Sequence, residues 1–221
     1  MDTKKLLAEL LGTFAFFLTG FMAILSTQNS PGGPSLVVIG FGFGLGLFIG
    51  IAAFGAISGG HYNPAVTVAA VLDGRLDPLT GVGYVVSQLF GGIGAAAFVL
   101  AMSSQAAVAG TETLPNTALI NDIQALVLET VFTAIFILVI LTSTKKAPSQ
   151  AAFIIALTLL VIQFAIVPFT GGSVNPARSI ASAVIGQKDL GVLWIYIVGP
   201  VVGGAIGWAI YRFANGDADA A

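Results

Sequence analysis

The chain of 221 residues carries formal charge on only 8% of them, is 57% hydrophobic and has a mean hydropathy of +0.99. A soluble domain of this length would be about a quarter charged, so a water-soluble globule is excluded. A net charge of -2 with no basic tract excludes nucleic acid as a partner, and the lack of cysteine excludes disulfide and thiol chemistry.

Taken in chain order, Met1 to Lys5 followed by Leu6 superficially resembles a secretion signal. The apolar run continues to about Ser26, however, with no small-x-small site closing a short core, so residues near 5–26 are read as a first membrane span. After Glu9 the next formal charge is Asp73, a stretch far longer than the ~20 residues of one crossing. Ser30-Pro31-Gly32-Gly33-Pro34-Ser35 is a turn signal that divides it, and a second span follows near 36–57. A third runs from about Leu79 to Met102. A polar stretch from Ser103 to Asn121 separates it from a fourth near 122–143, and Thr144 to Ser149 breaks the chain again. The fifth span lies near 150–168 and the sixth from about Leu190 to Tyr211; Asn215 to Ala221, with Asp217 and Asp219, reads as a short acidic tail that frays. Every span is expected to be a helix, because lipid cannot satisfy an open strand edge. With the N-terminus in the cytoplasm, Lys4, Lys5, Arg75, Lys145, Lys146 and Arg212 lie inside and only Arg178 and Lys188 outside. That bias predicts a multi-pass protein with both termini cytoplasmic, placed in the plasma membrane.

Residues 58–73 and 170–187 are apolar, yet each holds only a short helical stretch after an Asn-Pro pair. Asn63 and Asn175 are good N-caps, and Pro64 and Pro176 suit the first helical position. Each half-helix therefore enters the membrane and stops near its middle. Ser58-Gly59-Gly60-His61-Tyr62-Asn63-Pro64-Ala65 lines up with Thr170-Gly171-Gly172-Ser173-Val174-Asn175-Pro176-Ala177, and Glu9, Thr13 and Phe16 with Glu129, Thr133 and Phe136. The sequence thus predicts one all-α channel domain over 1–221, of six transmembrane helices and two re-entrant half-helices. It is built from inverted three-span repeats of about 1–110 and 115–214, with a permeation site near the midplane.

Two Asn-capped N-termini meeting there bring about half a positive charge each, together with amide donors. The Gly-rich stretches Gly59, Gly60, His61, Tyr62 and Gly171, Gly172, Ser173, Val174 are expected to be extended and to offer carbonyl acceptors to a channel. A single-file path of this kind passes small neutral molecules and disfavours cations and protons. Gly199, Gly203 and Gly207 on the sixth span, and Gly40, Gly42, Gly44, Gly46 and Gly50 on the second, let helices approach closely, mostly within one subunit.

The paired Asn-Pro-Ala motifs, the second continuing through Arg178 to Ser179, resemble the major intrinsic protein family of aquaporins and glycerol facilitators over nearly the whole chain. The resemblance implies a passive water channel, not an enzyme, without cofactor or metal, in a homotetramer. It implies a filter at Phe43, Gln163, Gly172 and Arg178, pore carbonyls at Gly59, Gly60, His61, Tyr62, Gly171, Ser173 and Val174, and loop support from Glu9 and Glu129. Gln163 stands where water-specific members usually have His, and Gly172 where they have a small side chain, so a wider opening is expected. Ser179 and Ala183 depart from the glycerol branch and Tyr196 suits the water branch, although Ile197 replaces its usual Trp. Water is favoured, with glycerol, urea or ammonia as the alternative solute. An intramembrane protease using Ser173 and His61 would need the two within hydrogen-bonding reach. An ion-coupled transporter would need an acid free of the structural role given to Glu9 and Glu129.

Overall fold

The computed structural model describes residues 2–28, 30, 31 and 34–216. Helices α1 (Thr3–Thr27) and α2 (Leu36–Ser58) are long, α3 (Pro64–Leu72) is short and α4 (Pro78–Met102) is long. After α5 (Gln105–Ala109) the order repeats: α6 (Asp122–Lys146) and α7 (Ala151–Thr170) long, α8 (Pro176–Gly186) short, α9 (Ile195–Asn215) long. The six long helices are apolar enough to cross a membrane, and no strand occurs among the described residues.

Local chemistry fixes the helix starts. Asp2, Ser35, Asp77 and Asn121 cap α1, α2, α4 and α6 by accepting from the N–H groups of Lys4, Val38, Thr80 and Gln124. Gln124 returns a bond to the Asn121 N–H, closing a capping box. At exposed Asp77, hydrogen bonds from the side chain and backbone of Thr80 hold the carboxyl below its ordinary range. Two elements differ from expectation. Helix α5 arises within the polar stretch, capped by Ser104 on the Ala107 N–H. The last span begins at Ile195 and not Leu190, because the residues before it are committed to turns. Gln187 is left-handed, and the N–H groups of Lys188, Asp189 and Gly191 bond to the carboxylates of Glu112 and Asp189. Gly32, Gly33 and the acidic tail with Asp217 and Asp219 lie outside the described residues.

Glycine sets the helix spacing inside this chain. A Cβ at Gly203 or Gly207 of α9 would overlap the carbonyl oxygen of Thr130 or Ala134 on α6, and one at Gly91 of α4 would overlap that of Leu10 on α1. Helix α2 shows glycine to two neighbours: Gly42 and Gly46 lie against Ala23 and Thr19 of α1, Gly40 and Gly44 against Phe164 and Leu160 of α7.

The short helices meet at their N-terminal ends and run to opposite faces. Beyond α3, Arg75 donates to Asp73 (2.6 Å), Thr144 (2.8 Å), the Leu141 carbonyl (3.2 Å) and the Tyr211 hydroxyl (3.1 Å). Arg212 stands 3.9 Å from Asp73, and Lys5 shares a surface cavity with Arg75, so this end is the basic face. Helix α8 ends instead beside Glu112, on the far face. With 9 and 11 residues, α3 and α8 span roughly 13 and 16 Å, about half of a ~30 Å hydrocarbon core.

Candidate permeation site

The segments leading into α3 and α8 are coiled, which corrects the expectation of extended chain. Gly59, Gly60 and Tyr62 take positive φ, as do Gly171, Gly172 and Val174. At Tyr62 (φ 48) and Val174 (φ 46) that conformation costs about 1–3 kcal/mol each and needs compensation. Two fully buried acids supply it. Glu9 accepts from the N–H groups of His61 (3.0 Å) and Tyr62 (2.8 Å), from Ser58 (2.6 Å) and from the Gln88 amide (2.7 Å). Glu129 accepts from the N–H groups of Ser173 (3.0 Å) and Val174 (2.7 Å) and from Thr170 (2.7 Å). The Tyr84 hydroxyl holds the Ser58 carbonyl at 2.7 Å, and Tyr196 holds that of Thr170 at 2.8 Å.

Each Asn serves its own helix and the opposite segment. Asn63 Oδ1 accepts from the Ala65 N–H at 2.9 Å, and Asn175 Oδ1 from that of Ala177 at 3.1 Å. Asn63 Nδ2 donates to the Val174 carbonyl at 2.8 Å, and Asn175 Nδ2 to the Tyr62 carbonyl at 2.9 Å. An amide nitrogen has two hydrogens, so these bonds use one of each pair.

A cavity of about 140 Å³ runs from this pair toward the basic face. Phe16, Leu47, Ile51, Phe136, Ile140, Ile155 and Leu159 line one part of it, and Gly59, Gly60, His61, Asn63, Ser173, Val174 and Asn175 another. Tyr62 and Gly171 are not among its lining residues. The Tyr62 carbonyl is bonded to Asn175, and Gly171 packs on the backbone of Thr113 and Leu114. The cavity continues into a second one of about 260 Å³ that shares Gly59, His61, Val66, Ile140 and Thr144 and reaches Lys5 and Arg75.

The four filter positions lie outside the lining of the first cavity and form two pairs. Arg178, 2% exposed, places its guanidinium carbon 5.1 Å from the Phe43 ring centroid and 5.5 Å from that of Phe21. Its Nη1 donates to the Thr111 carbonyl and to Ser182. The Phe43 ring occupies the place a side chain at Gly20 would take. Gln163 donates to the Gly172 carbonyl at 3.0 Å. A Cβ on Gly172 would stand 3.0 Å from Gln163 Oε1 and 2.7 Å from Val167, at a φ of +62. The space a side chain at Gly172 would need is thus shared by Val167 and Gln163. Gln163 Oε1 and Arg178 Nε are buried without a hydrogen-bond partner among the described residues.

Several polar residues of the site had no role assigned from sequence. Gln88, a neutral polar residue within an apolar span, carried a usable signal. Thr111 and Thr113 carried none, because a buried threonine in a polar stretch looks like a solvated one. Ser173 bonds to Ser179 and the Asn175 carbonyl, whereas His61 Nδ1 bonds to Thr67; the protease pair is not hydrogen-bonded together.

The Major intrinsic protein family model matches residues 1–211. The chain belongs to that family. It is 38% identical over 224 aligned residues to an Aquaporin Z of Photorhabdus laumondii, covering 95% of this chain and 96% of that protein. It is 37% identical over 208 residues to the Glycerol uptake facilitator protein-like 6 of Lactiplantibacillus plantarum, covering 90% and 93%. The X-ray structure of the aquaglyceroporin from Plasmodium falciparum shares the fold, with a TM-score of 0.86 at 24% identity over 95% of both chains. Family membership makes the chain an integral, multi-pass membrane channel for water or small solutes. Relatives from both branches of the family stand at nearly equal distance, so the choice of solute turns on the residues themselves.

Proposed function

We propose that the chain is a passive water channel of the plasma membrane that excludes ions and protons. The observation that carries this is the cavity ending on Asn63 and Asn175, apolar along one part and polar along the other. With the N–H groups of His61, Tyr62, Ser173 and Val174 committed to the two acids, backbone carbonyls are left for the solute. The unused amide hydrogens of the two Asn residues can donate to a water oxygen, and the two helix N-termini disfavour cations. Phe43, Gln163, Gly172 and Arg178 form the filter, with Gln163 as the wall on the side of Gly172. Ion coupling is disfavoured because both buried acids already accept from three or four donors. Cytoplasmic termini follow from the positive-inside bias, and the homotetramer rests on family resemblance.

The choice of solute is tested in proteoliposomes by stopped-flow light scattering with water, glycerol, urea and ammonia. Water should pass fastest and glycerol should be held back; glycerol flux matching that of water would replace this assignment with a wider pore. Gln163→Ala is expected to raise glycerol permeability about tenfold, equivalent to ~1.4 kcal/mol off the barrier. Unchanged glycerol exclusion in that variant would remove Gln163 from the filter.

A further inference from the structure

The two Asn caps are held by matching three-membered polar groups whose third member comes from different places. In the first half, His61 Nδ1 lies 3.1 Å from the Thr67 hydroxyl, which donates to the Asn63 carbonyl at 3.1 Å and accepts from the Gln88 amide at 3.0 Å. The spacing that carries Asn63 to Asn175 carries His61 to Ser173, Thr67 to Ser179 and Gln88 to Pro200. Proline offers no side-chain donor, so the second half lacks the partner that α4 supplies to the first.

Thr113, from the segment between α5 and α6, stands in that place. Its hydroxyl lies 2.6 Å from Ser179 Oγ, which lies 2.6 Å from Ser173 Oγ. Ser173 donates to the Asn175 carbonyl at 2.9 Å and accepts the Asn175 N–H at 3.2 Å. Counting hydrogens gives the chain a direction. With the single hydrogen of Ser173 on the Asn175 carbonyl, every hydroxyl is satisfied when Ser179 donates to Ser173 and Thr113 donates to Ser179. All three hydroxyls are buried, where an unpaired one is costly.

We propose that Thr113 is a positioning residue for the second Asn-Pro-Ala motif, acting through Ser179 and Ser173 to hold Asn175 as Gln88 does for Asn63. This rests on the channel assignment above. It makes the far-face segment part of the permeation machinery, separately from the grip of the Thr111 carbonyl on Arg178.

The test measures water flux per folded protein, and proton leak, in proteoliposomes of the wild type, Thr113→Val, Thr113→Ser, Ser179→Ala, the Thr113→Val, Ser179→Ala double variant and, as the reference for a leak caused by loss of the filter charge, Arg178→Val. Thr113→Val should lower flux about three- to tenfold, the scale of one lost hydrogen bond, without raising proton leak. Thr113→Ser should restore it, and the double variant should be no worse than Ser179→Ala alone. Thr113→Ala replaces the valine variant if the latter fails to accumulate. Wild-type flux without the hydroxyl, a serine variant as impaired as the valine one, or additive losses would overturn the proposal. So would a proton leak matching that of Arg178→Val, because the effect would then run through Thr111. A wild type with no flux at all would instead overturn the channel assignment.

Discussion

Glu129→Ala is expected to abolish water flux and to lower the melting temperature of the purified protein sharply. The carboxylate accepts from the N–H groups of Ser173 and Val174 and the hydroxyl of Thr170. All three donors are buried; the Thr170 hydroxyl can turn to the Ile166 carbonyl at 3.3 Å, but stranding the two N–H groups costs about 1–3 kcal/mol each, a total of several kcal/mol. Val174 would also lose what holds it in a left-handed conformation, and its carbonyl is the acceptor for Asn63. The damage therefore crosses from one half of the chain to the other. Glu129→Gln keeps the volume and one acceptor oxygen and should retain part of both properties. Thermal melting in detergent and flux in proteoliposomes are the measurements. Wild-type flux in the alanine variant would show that the segment keeps its shape without the acid.

The second large effect is on selectivity. Arg178→Val should leave water flux within about twofold of wild type and raise the leak of protons or small cations about tenfold or more. A unit charge several ångströms away is worth ~1–4 kcal/mol in surroundings between bulk water and a protein interior. The leak should be partial, because the N-termini of α3 and α8 keep their positive ends at the midplane. The Arg178 side chain bonds to Thr111 and Ser182 and to neither Asn63 nor Asn175, and its backbone N–H to the Asn175 carbonyl is kept in the valine variant, so the path itself should survive. Proteoliposomes loaded with a pH-sensitive dye and given a pH step read the leak directly. A leak equal to wild type would assign the barrier to the half-helices alone.

The architecture was legible because it rests on local signals. Apolar stretches divided by Pro and Gly gave six spans, and two Asn-Pro pairs gave the half-helices, since capping and proline act within a few residues. Glu9 and Glu129 stood out because an acid in an apolar span needs partners, though which groups would donate depended on a fold that brings residues 41 to 79 positions apart together. The left-handed turns at Tyr62 and Val174 could not be foreseen, because neither residue favours that conformation and the bonds that stabilise it, from the acids and from the two Asn amides, come from far along the chain. The fit of Gln163 into the space beside Gly172 was likewise hidden: read singly, one residue suggests polarity and the other extra room. The far-face segment was least legible. Glu112 and Thr113 are polar residues in a polar stretch, and only the folded chain turns them onto Lys188 and Ser179.

The central claim is that a preformed path conducts water passively. Stopped-flow osmotic shrinkage of proteoliposomes, recorded across a range of temperatures with and without sodium and proton gradients, tests it most directly. The account predicts flux well above protein-free vesicles, with a low activation energy and the same rate whether or not a gradient is present. Flux no greater than that of bare lipid, or flux that appears only when an ion gradient is imposed, would contradict it.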